Sequence, residues 1–132
     1  MNHAFALFFD TKTMHDTLGL DWDGVISHFP EEIKILARKF SRVVIITLNR
    51  TITPERVMTA FADIPAEYFL EICPDDKRDD YAAWKAETCR RHKVSLMIDD
   101  DGYVVMECRS LGIPTLAVNA SFVQAVLRDS KF

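Results

Sequence analysis

Cysteine is scarce in this sequence, and the pattern of its few cysteines narrows the class of protein. The 132 residues contain three of them, Cys73, Cys89 and Cys108, which are widely spaced and form no C-x-x-C pair. This spacing is typical of reduced thiols and fits neither a disulfide framework nor a zinc site. The cysteine content therefore favours a protein of a reducing compartment.

Long apolar runs and an excess of positive charge are also lacking. No run of about 18 apolar residues could span a membrane, and no basic segment followed by an apolar one resembles a signal peptide. The net charge of −4 gives no overall basic footprint for tight nonspecific binding to nucleic acid, although a local basic patch is compatible with it. We therefore expect a cytoplasmic protein with no membrane partner.

The composition that remains is that of one globular domain. Hydrophobic residues make up 48% of the chain and charged residues 27%, and 132 residues are enough to bury a sizeable core. Short apolar runs alternate with segments of helical periodicity, and the continuous β-branched run 43–48 is typical of a strand buried on both faces of a parallel sheet. This alternation predicts an α/β fold, a three-layer Rossmann-like sandwich with a five-stranded, mainly parallel sheet and helices on both faces.

The elements of this single domain, residues 1–132, can be placed along the chain. The predicted strands cover residues 18–21, 43–48, 68–73, 94–98 and 114–118. Helices are predicted to follow Pro30, to start at the cap Thr53 with Pro54, to cover 79–92, to end at Gly112, and to carry the apolar residues of 122–127. Residues 1–17 are interpreted as an N-terminal extension that adds an edge strand or a hairpin arm.

An acidic turn follows the first predicted strand, in the sequence Asp21-Trp22-Asp23-Gly24. Two like charges so close together are unfavourable unless a cation or a transferred proton relieves them. Gly24 allows the backbone to turn tightly at this point. The functional interpretation is a catalytic or metal site, and the alternative is an Asp-rich surface turn.

Polar residues also follow the other predicted strands. They are Thr47, Asn49 and Arg50 after the second strand, Lys77 after the third, and Asp99 and Asp100 after the fourth. Ligands of parallel α/β sheets bind beyond the carboxyl ends of the strands, where the strand order reverses. Each residue alone has an ordinary structural explanation, but together they predict a single site at this edge of the sheet.

The order of these motifs resembles the haloacid dehalogenase-like (HAD) superfamily of phosphohydrolases, over roughly residues 18–120. The resemblance is carried by D-x-D-G, a strand-terminal Thr, a Lys and the sequence Ile98-Asp99-Asp100. Trp84-Lys85 before that sequence and Val104-Val105 after it are similar to the phosphatase half of phage polynucleotide kinase and to other small capless members. These motifs do not identify the substrate.

The resemblance implies an aspartyl-phosphate mechanism. Asp21 would attack phosphorus, Asp23 would protonate the leaving oxygen and then activate water, and Thr47 would donate to a phosphoryl oxygen. Mg²⁺ would be held by oxygen ligands suited to a hard cation. These ligands would be Asp21, the backbone carbonyl of Asp23, Asp99 and Asp100. Gly24, Asn49 and Arg50 are the expected substrate-binding residues.

The same mechanism needs a lysine to compensate the charges of the nucleophile and the phosphoryl group. Lys77 lies 22 residues before Asp99, at a predicted helix entrance, and Lys85 lies 14 residues before it, within the helix. Both are candidates for this catalytic role, and we favour Lys77.

The spacing of the motifs leaves no room for a cap domain between Gly24 and Val43 or between Thr47 and Lys77. An open site favours a phosphorylated substrate that brings its own cover, such as a nucleic-acid end or a phosphoprotein, and the resemblance to the polynucleotide phosphatase favours the nucleic-acid end. A cap supplied by a second subunit would instead favour small nucleotides or sugar phosphates. Two other classes are open. One is a HAD-like binding or regulatory module without catalysis. The other is a phosphoacceptor receiver domain, in which the acidic pair would end the first strand and not the fourth.

Overall fold

The structure is a computed structural model, and it describes residues 16–118. Within this range five strands alternate with four helices, as the sequence predicted. The strands are β1 (Thr17–Leu20), β2 (Arg42–Thr47), β3 (Glu67–Ile72), β4 (Leu96–Asp99) and β5 (Thr115–Ala117). The helices are α1 (Pro30–Ala37), α2 (Pro54–Ala60), α3 (Tyr81–Arg91) and α4 (Gly102–Ser110). The predicted edge strand near the N-terminus and the predicted helix over 122–127 lie outside the described residues.

The five strands form one sheet in the order β3-β2-β1-β4-β5, and each neighbouring pair is parallel. The chain runs outward from β1 through β2 to β3 and then returns to the other side of β1 as β4. The strand order therefore reverses between β1 and β4, and the carboxyl ends of these two strands border the crevice where such sheets bind ligands.

Side chains of the buried strands alternate between two apolar layers, as the period of a strand requires. In β2, Val43 and Ile45 face a core that includes α1 and α2, whereas Val44 and Ile46 face a second core that includes α3 and α4. Helices thus cover both faces of the sheet, which confirms the three-layer α/β prediction.

Local signals place the helix ends. The Thr53 side chain accepts a hydrogen bond from the Arg56 amide, and Pro54 occupies the first turn of α2, as predicted. Gly112 ends α4 with a positive φ of 79°. Helix α3 starts at Tyr81, two residues later than expected, because a 3₁₀ helix (Asp75–Asp80) precedes it.

The connections between strands are short. A wide turn (Trp22–Ile26) and α1 link β1 to β2, and α2 links β2 to β3. None of the helices in residues 16–118 has the length and hydropathy needed to cross a lipid bilayer.

Candidate metal and catalytic site

Three carboxylates meet where β1 and β4 end. Asp21 directly follows β1, and its amide donates to the Ile98 carbonyl of β4 at 3.1 Å, which keeps it beside that strand. Asp99 is the last residue of β4, and Asp100 follows it. One oxygen of Asp21, one of Asp99 and one of Asp100 all lie within 4.8 Å of one another. The sheet topology therefore forms an acidic cluster that could hold a metal ion.

Lys85 lies between the two buried members of this cluster. Its Nζ donates to Asp21 Oδ1 and to Asp99 Oδ2, both at 2.9 Å, and the side chain is only 3% exposed. Burial alone would lower the pKa of Lys85, but the charges of the two carboxylates outweigh burial and raise this pKa above its usual value. Lys85 is therefore a protonated cation inside the protein.

One lysine does not compensate the charge of the acidic cluster. Burial, together with the nearby charges of Asp99 and Asp100, raises the pKa of Asp21 to about 7 against the opposing effect of Lys85. Burial likewise raises the pKa of Asp99. When all three carboxylates are ionised, the single ammonium leaves two negative charges without a partner, a deficit that one divalent cation would balance.

The orientation of both buried carboxylates is fixed by hydrogen bonds. Asp21 Oδ1 also accepts from the Trp22 amide at 2.9 Å, and Asp99 Oδ1 accepts from the Asp101 amide at 2.9 Å. Among residues 16–118, Asp21 Oδ2 accepts no hydrogen bond. The second oxygen of Asp21 is thus held in position with its lone pairs available to a metal ion or an electrophile.

The acidic turn brings Gly24 against the cluster. Asp23 (φ −72°, ψ 128°) and Gly24 (φ 84°, ψ −13°) have the backbone angles of the two central residues of a type II turn. A Cβ atom at position 24 would lie only 2.0 Å from Asp100 Oδ2. The positive φ favours glycine at this position, and any larger residue would also displace the exposed Asp100 carboxylate from the turn.

Asp23 is exposed and joins the end of β2. The Asn49 side-chain amide donates to Asp23 Oδ1 at 3.3 Å, and the Asn49 backbone amide donates to Thr47 Oγ1 at 2.9 Å. Thr47 is fully buried. The expected roles of these residues, including the Asp23 carbonyl as a metal ligand, stay predictions, but the structure brings all three to the same edge as the carboxylates.

Arg50 and Lys77 lie at the periphery of this edge. Arg50 forms an ion pair with Asp75, and its expected role in substrate binding stays a prediction. Lys77 is exposed on the 3₁₀ helix and makes none of the ion pairs found within residues 16–118. Of the two candidate lysines, the structure places Lys85 between the carboxylates, contrary to our preference for Lys77. The sequence contained a signal for the inward position of Lys85, since this residue lies one helical turn from both Tyr81 and Cys89 on the apolar face of α3.

Two further residues of the site region were missed in the sequence. Tyr81 donates its hydroxyl proton to Asp101 Oδ2 at 2.6 Å, and Asp101 Oδ1 caps α4 by accepting from the amides of Tyr103 and Val104. This contact ties the start of α3, which carries Lys85, to the start of α4. The signal available in the sequence was the third Asp of the triplet 99–101, placed as a helix cap.

No protein-family model matches this chain, and comparisons with curated proteins and with solved structures found no match either.

Proposed function

We propose that this protein is a Mg²⁺-dependent phosphohydrolase that uses Asp21 as its nucleophile. The observation that carries the proposal is the arrangement of Lys85 between Asp21 and Asp99, with Asp100 completing a cluster that has two uncompensated negative charges. Phosphoryl transfer depends mainly on positioning and on the compensation of negative charge. The site positions its carboxylates, and Lys85 together with a bound divalent cation would supply the compensation.

The donor set fits a hard divalent cation. Oxygens of Asp21, Asp99 and Asp100 would hold Mg²⁺, and all three are ligands of the type that this ion prefers. Bound Mg²⁺ would supply charge compensation for the phosphoryl group as it approaches the carboxylates. Asp21, whose pKa is about 7 in the metal-free site, would then be held in the ionised form that a nucleophile requires.

The attack follows from the orientation of Asp21. Lys85 and the Trp22 amide hold Oδ1, so Oδ2 would form the bond to phosphorus while the bond from phosphorus to the leaving oxygen breaks. Asp23 would give a proton to the leaving oxygen. It would then take a proton from the water that hydrolyses the aspartyl-phosphate.

Residues at the end of β2 would bind the phosphoryl oxygens. Thr47 Oγ1 already accepts a hydrogen bond from the Asn49 amide, which leaves its hydroxyl proton available to a phosphoryl oxygen. Lys85 would compensate the charge that develops during transfer, and Gly24 and Arg50 are further candidates for substrate contact. The position of the double Asp after β4 argues against a receiver domain, in which the acidic pair would end β1.

The test is Mg²⁺-dependent hydrolysis of p-nitrophenyl phosphate by the purified protein and by Asp21→Asn. We expect the wild type to turn over this ester, Asp21→Asn to be inactive, and Asp23→Asn to lose about 10²- to 10⁴-fold, the usual contribution of a general acid. Asp63→Asn is the matched control, because Asp63 is exposed in the turn before β3.

Mass spectrometry of acid-quenched reactions should detect one phosphoryl group on a peptide that contains Asp21. A folded Asp21→Asn protein with normal turnover would disprove the nucleophile assignment. A wild-type protein that binds Mg²⁺ but hydrolyses no ester would instead be a binding or regulatory module.

A further inference from the structure

A shallow pocket of about 360 Å³ lies beside the acidic turn. It is lined by Trp22, Glu55, Arg56, Thr59 and Ala60. Trp22 is the residue between the proposed nucleophile and the proposed general acid, so the pocket borders the site on the side of α2. Its volume is within the range of ligand pockets in proteins. The proposed mechanism assigns no role to this pocket.

Arg56 is held in a fixed position at this pocket. Its guanidinium carbon lies 5.3 Å from the centroid of the Trp22 ring. Its Nη1 donates to the Thr51 carbonyl at 3.3 Å and to Thr51 Oγ1 at 3.1 Å. Within residues 16–118, Arg56 Nε and Nη2 make no hydrogen bond. The guanidinium therefore lies over an indole and keeps N–H donors that none of the described residues uses.

Hydrogen bonds connect this plane to the proposed general acid. Thr51, which holds Arg56, donates from its amide and its hydroxyl to Asn49 Oδ1, and Asn49 Nδ2 donates to Asp23 Oδ1. Asp23 is the residue that would protonate the leaving oxygen. The pocket therefore lies on the side where the alcohol part of a phosphate ester would leave.

We propose that the pocket formed by Trp22, Arg56 and Ala60 binds the leaving group of the substrate, and that this group carries a nucleobase. The proposal rests on the phosphohydrolase function proposed above and names the substrate class of the same site. A planar base can stack on an arginine guanidinium, and its ring nitrogens and carbonyls can accept from the free N–H groups at the edge.

The other residues of the pocket favour a base over the alternatives. Glu55 brings a carboxylate next to Arg56, so the pocket has little net charge and would bind a second anionic group weakly. The Ala60 methyl and the small exposed part of Trp22, a side chain that is otherwise buried, provide apolar surface beside the guanidinium. A simple phenyl ring would leave the Arg56 donors without acceptors.

Binding of nucleosides without phosphate tests the pocket independently of catalysis. The chain has two tryptophans, and Trp84→Phe leaves Trp22 as the sole tryptophan, whose emission can be excited selectively over that of the tyrosines. In this background we expect nucleosides to quench Trp22 fluorescence saturably, and ribose and phenol to have no effect. Adding Arg56→Ala should weaken nucleoside binding about 10- to 100-fold, as expected for loss of one stacking contact. Arg90→Ala is the matched control, since Arg90 is exposed on α3 and pairs with Glu87.

Kinetics with matched esters completes the test. We expect kcat/KM to be at least about 10-fold higher for 3′- or 5′-nucleoside monophosphates than for ribose 5-phosphate and phenyl phosphate. Arg56→Ala should reduce that preference at least about 10-fold, because it should lower kcat/KM for the nucleoside monophosphates far more than for ribose 5-phosphate. If all esters are hydrolysed equally well, or if Arg56→Ala slows every ester alike, the base-binding pocket is disproved while the phosphohydrolase function stands. If nucleosides bind but no ester is hydrolysed, the proposed function fails and the pocket is upheld.

Discussion

Two clusters of charged side chains lie along α3, and they shift carboxyl pKa values in opposite directions. In the acidic site, the single cation Lys85 is shared by buried carboxylates, and the pKa of Asp21 rises to about 7. Near the carboxyl end of α3, the two basic side chains His92 and Arg91 contact one carboxylate, that of Glu71. Hydrogen bonds from His92 and then Arg91 lower the pKa of Glu71 despite its partial burial.

The difference separates a structural ion cluster from a site that requires a ligand. In the Glu71 cluster the single carboxylate accepts hydrogen bonds from two basic side chains, so folding alone satisfies it. In the acidic site folding brings together charges that it does not compensate, which destabilises the metal-free protein. Uncompensated buried charge of this kind occurs mainly at functional sites, and it identifies the crevice between β1 and β4 as the candidate site.

Substitution of Lys85, the cation shared by Asp21 and Asp99, should change the free energy of unfolding more than any other substitution in the two clusters. Lys85→Met leaves Asp21 and Asp99 buried together without their partner, and loss of one member of a buried ion pair typically destabilises a protein by about 3–5 kcal/mol. We expect a loss of this size in the free energy of unfolding, measured by urea denaturation, or failure to fold.

Lys77→Met provides the control for this substitution. The same chemical change at an exposed position should alter stability by less than about 0.5 kcal/mol. Equal stability of the two variants would show that Lys85 does not hold the acidic site together. If Lys85→Met folds and retains full turnover with Mg²⁺, the catalytic role of Lys85 is excluded.

Mg²⁺ should compensate the charge of the acidic site, as the basic side chains already do for Glu71. The resulting stabilisation of the protein should depend on pH. The pKa of Asp21 is raised from 3.8 to about 7, so its contribution to metal-free stability is complete below 3.8 and is lost as pH rises through about 7. Mg²⁺ binds the ionised carboxylates, and stabilisation should therefore increase from pH 5 to about pH 8. At a free Mg²⁺ concentration 100-fold above Kd, it should reach about 2.7 kcal/mol.

Thermal unfolding with Mg²⁺ or with chelator, at several pH values, measures this effect. Asp99→Asn or Asp100→Asn should reduce the increase in Tm that Mg²⁺ produces, and Asp63→Asn should not. A Tm that is independent of Mg²⁺ at every pH would show that the acidic cluster holds no divalent cation.

Much of the fold could be predicted because its signals are local. The β-branched run around Val44 predicted a strand buried on both faces, and β2 is such a strand. Thr53 and Pro54 predicted the start of α2 to the residue. The start of α3 could not be located, because the polar segment 75–80 has no apolar periodicity to distinguish a 3₁₀ helix from a loop.

The acidic site was predictable to the extent that sheet topology determines it. Asp21 and Asp99 had to meet once β1 and β4 were parallel neighbours. The choice of lysine was not predictable in this way, because burial of Lys85 depends on carboxylates that arrive from two other elements. The ion pair of Arg50 with Asp75 likewise joins groups 25 residues apart, and no local pattern indicates it.

Neutralisation of Glu71 should have the smallest effect on the free energy of unfolding. The stabilising contribution of Glu71 should depend on pH in the direction opposite to that of Asp21. The pKa of Glu71 is lowered below its ordinary value of 4.5, so its stabilising contribution is present above 4.5 and is lost as pH falls through the lower folded value. Glu71→Gln should therefore reduce the free energy of unfolding by about 1 kcal/mol near neutral pH, because it weakens charge-assisted hydrogen bonds near the surface, and the loss should shrink in acid. Urea denaturation at neutral and acidic pH measures both values. Glu87→Gln, which breaks an exposed pair with Arg90 on the same helix, is the control and should have a smaller effect. A loss that grows as pH falls would contradict the assignment of Glu71 as a carboxylate stabilised by its basic neighbours.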